Sequence, residues 1–444
     1  MWTDTIAAVS TSLLSNAAIA IVRLSGPDAF AVLRKIFRSR ETEYEGYRIY
    51  FGTIVDPENG ETVDQVLVNI FRAPHSYTGE DMAEINCHGG MVVTRRVLTL
   101  CLAQGARQAL PGEFTRRAYL NGKMDLTQAE AVNDLVSAET LDGARLAASG
   151  LTGSVKKLLD PLLDEVMQII AHIEVNIDYP EYDDIGTITA GQISPLVDDW
   201  LARGEKILEL SQSSLILKEG VKTVILGKPN VGKSSLLNAL LARQKAIVNA
   251  QAGTTRDLVE GEIRLGHVTL HLTDTAGIHD TDNEIEQMGI ERSREALAEA
   301  QLVLLVVDGS QPLDEEDEKL IALTADKPRL IVYNKQDLTE EQRPLGISAK
   351  NGDIAALTQA IEEMFAQHRI ALDQPGLTNE RQIALMRQAQ AAMRRVKEQL
   401  AAQVPLDLVN EDLQEAYRCL KEILGEYSRE DLLDGIFSRF CVGK

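Results

Sequence analysis

The sequence predicts a multidomain fold: an α+β N-terminal domain, an all-α helical domain, and a doubly wound, mostly parallel α/β domain inserted into the helical one. Three observations carry this. The chain's 444 residues are about three times the ~150 residues of a common domain. Residues 221–365 alternate strand-like apolar runs with helical patterns, the rhythm of a parallel sheet covered by helices. Apolar residues at spacings of three and four flank that stretch on both sides, from Leu126 to about Leu215 and from about Glu380 to the end. The alternative to one interrupted helical domain is two unrelated bundles.

Taken in order, residues 1–118 mix β-rich runs (Ala18 to Leu24, Val66 to Phe71) with turn residues such as Pro57-Glu58-Asn59-Gly60 and one helical stretch, Val92 to Leu102. Residues 119–215 open the helical region, with three helices expected between Leu126 and His172 and Pro161 as an interior breaker; Tyr179 to Asp184 interrupts the pattern. Residues 216–373 hold the α/β domain, with strands expected at Val221–Leu226, Val268–Leu272, Leu302–Val307 and Leu330–Tyr333. Residues 374–444 return to helical spacing and end in Cys441-Val442-Gly443-Lys444.

Composition narrows the function. Hydrophobic residues make up 44% and charged residues 25%, the balance of a chain that folds around a core. Forty-five basic against 67 acidic side chains leave a net charge of −22, so nucleic acid must meet a local basic patch. Two small clusters qualify, Thr94-Arg95-Arg96 and Thr115-Arg116-Arg117, and each reads more simply as a solvated helix face. The four cysteines form no C-x-x-C pair, which disfavours a disulfide framework or a zinc ribbon and fits a reducing, cytoplasmic compartment. The longest apolar run, Leu302 to Val307, is far short of the ~18 residues of a membrane span, and the N-terminus lacks the basic segment of a signal peptide.

The chemistry-bearing motif is Gly227-Lys228-Pro229-Asn230-Val231-Gly232-Lys233-Ser234, G-x-x-x-x-G-K-S between an expected strand and the helical run Ser235 to Leu241. Glycines let backbone N–H groups wrap phosphates, Lys233 reaches the β and γ oxygens, and the Ser234 hydroxyl ligates Mg²⁺. Asp274-Thr275-Ala276-Gly277, Asn334-Lys335-Gln336-Asp337 and Ser348-Ala349-Lys350 follow in order, each expected after a strand. Asp337 selects the base: a carboxylate only accepts hydrogen bonds, guanine offers donors at N1 and N2, and adenine has an acceptor at N1. GTP is therefore the reading and ATP the minority one. Thr255, in Thr254-Thr255-Arg256-Asp257, is a candidate second Mg²⁺ ligand. Ile278 stands where small GTPases carry a water-orienting glutamine. Another group must serve, either a cation held by Asn230 or a carboxylate between Asp280 and Glu286. By pattern alone Asn230 reads as a loop residue and Glu286 as a solvated acid.

Further stretches carry a resemblance: Ala20 to Gly26, Tyr77-Thr78-Gly79-Glu80-Asp81, His88-Gly89-Gly90, Pro111-Gly112-Glu113-Phe114, Asn121 to Ala131, Gly253 to Asp257, and Phe440 to Lys444. With these the whole chain resembles the bacterial tRNA modification GTPase family MnmE, also called TrmE. The resemblance implies a folate-binding-like N-terminal domain that forms a homodimer, and a GTPase domain inserted in the helical one. It implies an FAD-containing partner, MnmG (GidA), joined as a heterotetramer. Together they place an aminomethyl or carboxymethylaminomethyl group on C5 of the wobble uridine of certain tRNAs. A 5-formyl- or methylene-tetrahydrofolate supplies the one-carbon unit, and no membrane is involved.

The resemblance also assigns residues. GTP contacts would be Asn230, Val231, Gly232, Lys233, Ser234, Ser235, Asn249, Ala250, Gln251, Ala252, Gly253, Thr254, Thr255, Asp274, Thr275, Ala276, Gly277, Asn334, Lys335, Asp337, Ser348, Ala349 and Lys350. K⁺ would be held by Asn230, Asn249, Gln251 and Thr254, and Glu286 would position the attacking water. Folate would contact Arg23, Glu84, Lys123 and Lys444, where a carboxylate suits a pterin's donor edge and cations suit a glutamate tail. Cys441 becomes an active-site cysteine. Cys87 beside His88 is a weaker nucleophile–base pair, because sequence neighbours rarely face each other. One departure stands out: Ser12 to Ala17 fills a position where the family has a Pro/Gly-rich turn. Rival readings are a ribosome-assembly GTPase similar to Era or Der, whose RNA domain has no counterpart beyond Gly150 to Gly153 in a helical stretch, and a dynamin-like membrane GTPase, which the acidic balance disfavours.

Overall fold

The computed structural model describes all residues except 1–2, 12–16, 42, 139, 179–189, 245–260, 267, 275–296, 367–375 and 428–429. The described chain divides into two units, one of Met1–Ser137, Ala147–Leu201 and Ala384–Lys444, the other of Ala138–Leu146 and Ala202–Ile383. The expected break at Tyr179 to Asp184 and the departing segment Ser12 to Asn16 lie outside the described residues.

In the first unit, β1 (Ile6–Val9), β2 (Ile19–Ser25), β3 (Phe37–Ser39), β4 (Arg48–Val55), β5 (Thr62–Phe71), β6 (Met82–His88) and β7 (Arg107–Gln108) form one sheet in the order β3-β4-β5-β6-β2-β1-β7. Every pairing is antiparallel except β1 with β7. Side chains alternate along β2: Ala20, Val22 and Leu24 are buried, while Ile19, Ile21 and Arg23 point to the other face. The buried set packs against α1 (Ala29–Ile36) and α2 (Met91–Ala103), whose Val97, Leu100 and Cys101 join the same core. The expected helix at Val92 to Leu102 is α2, within a residue at each end.

The rest of this unit is helical: α3 (Glu113–Leu120), α4 (Leu126–Ser137), the last part of α5 (Leu141–Leu151), α6 (Ser154–Asp178), the first part of α7 (Ala190–Glu219), then most of α11 (Glu380–Ala401), α12 (Leu406–Leu424) and α13 (Glu430–Phe437). Along α12, Val409, Leu413, Ala416, Leu420, Ile423 and Leu424 are buried, a stripe at helical spacing. Each of the Val, Leu and Ile side chains in it contributes about 1.5–3 kcal/mol on burial. Pro161 does not break the chain as expected; it lies inside α6. Its neighbours Leu159, Leu162, Leu163 and Val166 are all buried, and their packing outweighs the ~3 kcal/mol cost of an interior proline. Helix α7 also runs past Leu215, to Glu219.

The second unit holds a five-stranded sheet, β12-β11-β8-β10-β9, from β8 (Val221–Leu226), β9 (Gly261–Leu265), β10 (Val268–Asp274), β11 (Leu302–Asp308) and β12 (Arg329–Asn334). All pairs are parallel except β9 with β10. Helices α8 (Lys233–Gln244), α9 (Glu315–Leu323) and α10 (Ala355–Phe365) accompany it. Leu302, Leu304 and Val306 of β11 join one core and Val303 and Leu305 join another. Burial on both faces is why this strand is a continuous apolar run. The strand expected before Ser348 is a correction: the chain there makes only single bridges, Tyr333 with Gly346 and Ser348 with Asp353. Pro344 lacks the N–H that a regular ladder needs. Among the described residues no helix is long and apolar enough to cross a membrane.

Candidate functional site

The loop between β8 and α8 is shaped by two glycines. Gly227 has φ +153°, and a Cβ there would lie 2.2 Å from the Val306 carbonyl of β11. Gly232 has φ +97°, and its Cβ would lie 2.2 Å from Asn334 Nδ2. Neither place admits a side chain. Asn230, at φ +63°, takes the left-handed turn between them. Lys233 is 7% exposed, and its ammonium donates to the carbonyls of Gly227 (2.9 Å) and Lys228 (2.8 Å). Ser234 and Ser235 sit exposed in the first turn of α8, where helix N–H groups and the macrodipole favour an anion.

Three further segments converge on this loop. Asn334, buried at the end of β12, donates from Nδ2 to the Val231 carbonyl (2.8 Å) and accepts from the Ala349 N–H at Oδ1 (3.0 Å). One side chain thereby ties the phosphate loop to Ser348-Ala349-Lys350. Lys335 takes φ +66° and pairs with Asp308 at the end of β11 (2.7 Å). Burial raises the Asp308 pKa, but hydrogen bonds from Lys335 and Ser310 outweigh it and hold the carboxyl below its ordinary range. Asp337 stands exposed on a 3₁₀ turn, where the Ser348 hydroxyl donates to Oδ1 (2.6 Å). That bond orients the carboxylate as an acceptor pair. Lys350 is exposed beside it.

Asp274 ends β10, its backbone paired with Ile225; nothing is described of its side chain. Asn249, Ala250, Gln251, Ala252, Gly253, Thr254, Thr255, Thr275, Ala276, Gly277 and Glu286 lie outside the described residues. The residues present suit a nucleotide: a cradle that a single Cβ would fill, a buried ammonium and a helix N-terminus.

The expected folate residues gather in part. Arg23 of β2 and Glu84 of β6 are register partners, joined by an ion pair from Nη2 (2.8 Å) and Nε (3.0 Å) to Oε1. Arg23 Nη1 also donates to the Gly443 carbonyl (3.3 Å), as does the Ser10 hydroxyl (3.1 Å). The rings of Tyr77 and Phe114 flank the guanidinium at 5.6 and 5.5 Å. The chain's last residues are pinned here: Gly112 N–H donates to the Cys441 carbonyl and Phe114 N–H to that of Lys444. Lys123 is tied instead to the Pro74 carbonyl (3.0 Å). Ser10, Tyr77, Phe114 and Gly443 were missed as neighbours of this site, although Tyr77, Phe114 and Gly443 lie in the stretches that carry the resemblance.

Cys441 is exposed, whereas Cys87, Cys101 and Cys419 are buried. Burial raises the Cys87 thiol, which faces the Ala20 carbonyl and Thr94, while His88 Nδ1 bonds Asp64 (2.7 Å). Cys87 and His88 therefore form no nucleophile–base pair. Burial pushes Cys101 up to about 12. Of the basic clusters, Arg95 and Arg96 stand exposed on α2, the solvated helix face expected, whereas Thr115-Arg116-Arg117 is corrected. Arg117 is fully buried and paired with Asp4, Glu80 and Glu113; Arg116 pairs with Asp434, Arg96 with Asp56, and Thr94 is buried. Within Thr115-Arg116-Arg117 there is no solvated face, because α3 turns that side toward the acidic groups beneath it.

Comparison with known proteins places this geometry. Residues 126–441 match the family model described as MnmE helical domain, and residues 5–123 match that of the GTP-binding protein TrmE N-terminus. The tRNA modification GTPase MnmE of Levilactobacillus brevis is 43% identical over 457 aligned positions, covering 99% of this chain and 98% of the relative. That of Lactobacillus johnsonii is 44% identical over 460, with the same coverage. The chain belongs to the tRNA modification GTPase MnmE family.

Proposed function

We propose that the protein is a potassium-dependent GTPase. With the FAD-containing MnmG it adds an aminomethyl or carboxymethylaminomethyl group to C5 of the wobble uridine of tRNA. GTP hydrolysis in tRNA modification is the activity in the names of its relatives. The observation that supports the reading is Asn334, which binds the phosphate loop and the Ser348–Lys350 segment at once, an arrangement in which Asp337 and Lys233 would serve one nucleotide.

Lys233 and the N–H groups at the start of α8 would receive the phosphates, and Asp337 would accept from guanine N1 and N2. Ser234 and Thr255 would hold Mg²⁺, and Asn230, Asn249, Gln251 and Thr254 would hold K⁺; these cations would neutralise charge that develops on the phosphates. Glu286 would position the attacking water in place of the glutamine that Ile278 replaces.

Arg23 and Glu84 would take a tetrahydrofolate, which would supply the one-carbon unit, with Lys123 and Lys444 as further folate contacts and the exposed Cys441 as an active-site cysteine. The domain reading is 1–118 for this N-terminal module, 119–215 and 374–444 for the helical domain, and 216–373 for the GTPase domain. A homodimer is supported by the open face of the first sheet. Phe51, Leu67, Asn86 and Ile21 stand in one register row across β4, β5, β6 and β2, with Phe51 and Ile49 about two-thirds exposed.

The test is reconstitution: full chain, MnmG, unmodified tRNA, GTP, methylene-tetrahydrofolate and K⁺, read by mass of the wobble nucleoside. A mass gain that requires all components supports the proposal. Unmodified uridine from an active partner preparation overturns it.

A further inference from the structure

Lys228, the second residue of the phosphate loop, does two things at once. Its carbonyl accepts from the Lys233 ammonium (2.8 Å). Its own ammonium leaves the loop and pairs with Asp314 (2.5 Å) and Asp317 (2.8 Å) at the start of α9. These two carboxylates are already organised as a capping box: Asp314 accepts from the N–H groups of Glu316 and Asp317, and Asp317 accepts from that of Asp314. Asp317 is 3% exposed, and its Oδ1 has no partner among the described residues. A buried carboxylate with one bare oxygen depends heavily on the cation it has. Hydrogen bonds to Asp314 and Asp317 raise the Lys228 pKa, and the Lys228 bond holds Asp314 down to about 2. The contact is charged throughout the working pH range.

The end of β11 and the segment after it therefore anchor both halves of the nucleotide site, Lys335 through Asp308 and Lys228 through Asp314 and Asp317. We propose that Lys228 is a positioning residue for phosphate binding: its ion pairs with α9 fix the carbonyls on which Lys233 rests, so the loop is ordered before nucleotide arrives. This rests on the nucleotide reading of the site. A loop ordered in advance loses less entropy on binding, so the effect falls on affinity for phosphates and spares recognition of the base.

The test uses full-length Lys228→Ala, Lys228→Arg and Asp314→Asn combined with Asp317→Asn, with GDP and GTP affinity, steady-state KM and kcat, and competition by millimolar guanosine. Lys228→Ala is expected to weaken GDP and GTP alike by about tenfold, the scale of one charge-assisted hydrogen bond. KM rises, kcat changes little, guanosine competes as before, and Lys228→Arg restores most of the loss. Unchanged GDP affinity in Lys228→Ala, or an equal loss for guanosine, overturns the proposal. Should Lys228→Ala fail to fold, Asp314→Asn combined with Asp317→Asn decides: the amides keep capping acceptors while both ion pairs to Lys228 are lost, and parental GDP affinity in that variant overturns the proposal. Failure of the unsubstituted protein to bind GDP would instead sink the nucleotide reading itself.

Discussion

Replacing Asn334 by alanine removes two hydrogen bonds from a side chain that is 3% exposed. It strands the Val231 carbonyl and the Ala349 N–H inside the protein. Each stranded group costs about 1–3 kcal/mol, and water entering the space left by the amide recovers part of that, so a net loss of about 2–3 kcal/mol is expected. The loss falls on the arrangement that joins phosphate loop to base loop. At about 1.4 kcal/mol per decade, GDP should bind about 30–140-fold more weakly. Titration with a fluorescent GDP analogue reads this directly. Asn334→Asp sharpens the test: it keeps an acceptor for Ala349 but sets a carboxylate oxygen against the Val231 carbonyl, and should be at least as damaging. If both variants bind GDP within about threefold of the parent, the amide does not join the two loops and the reasoning fails.

Four other perturbations follow from the geometry. Gly232→Ala forces a Cβ to within 2.2 Å of Asn334 Nδ2, so nucleotide binding should fall below detection while the helical unit's unfolding, read by Trp200 fluorescence, stays unchanged. Asp337→Asn replaces an acceptor pair by one donor and one acceptor, so GTP affinity should drop and xanthosine triphosphate, with a carbonyl at C2, should gain. Arg117→Met leaves Glu113, 3% exposed, without a buried cation. Breaking such a network costs about 3–5 kcal/mol, to be measured by urea unfolding. Burial raises the Glu113 pKa, but bonds from Arg107, the Leu110 N–H and Arg117 outweigh it and hold it below the ordinary glutamate range. Its stabilising effect is therefore present above the ordinary glutamate range and lost as pH falls through the depressed value. The stability gap between the parent and Glu113→Gln should narrow on acidification; a gap that widens would contradict the assignment.

Local signals in the sequence carried far. Strand β8 was expected at Val221–Leu226 and occupies those residues, because an unbroken apolar run before a glycine-rich turn admits few other states. The phosphate loop was legible because its glycines answer to backbone geometry, +153° and +97°, which no other residue supplies cheaply. What stayed hidden depends on contacts distant in sequence. Arg117 looked like a solvated cation, since its partners Asp4 and Glu80 are far away along the chain. Pro161 looked like a stop signal, since nothing local announces that Trp200 will donate to the Leu162 carbonyl beside it (3.1 Å). The Lys228 pairs with α9 were equally silent, because the motif leaves that position unconstrained.

The central claim is that Lys233 and Asp337 serve one guanine nucleotide in a cation-assisted hydrolysis. Its most direct test is phosphate release from GTP and from ATP by the full chain, in potassium chloride and in sodium chloride at equal ionic strength, with Lys233→Ala as reference. Equal ionic strength removes general screening as a cause. The account predicts GTP turnover that potassium stimulates strongly, no comparable ATP turnover, and loss of activity in Lys233→Ala. Equal rates in both salts, or equal use of ATP, would contradict it.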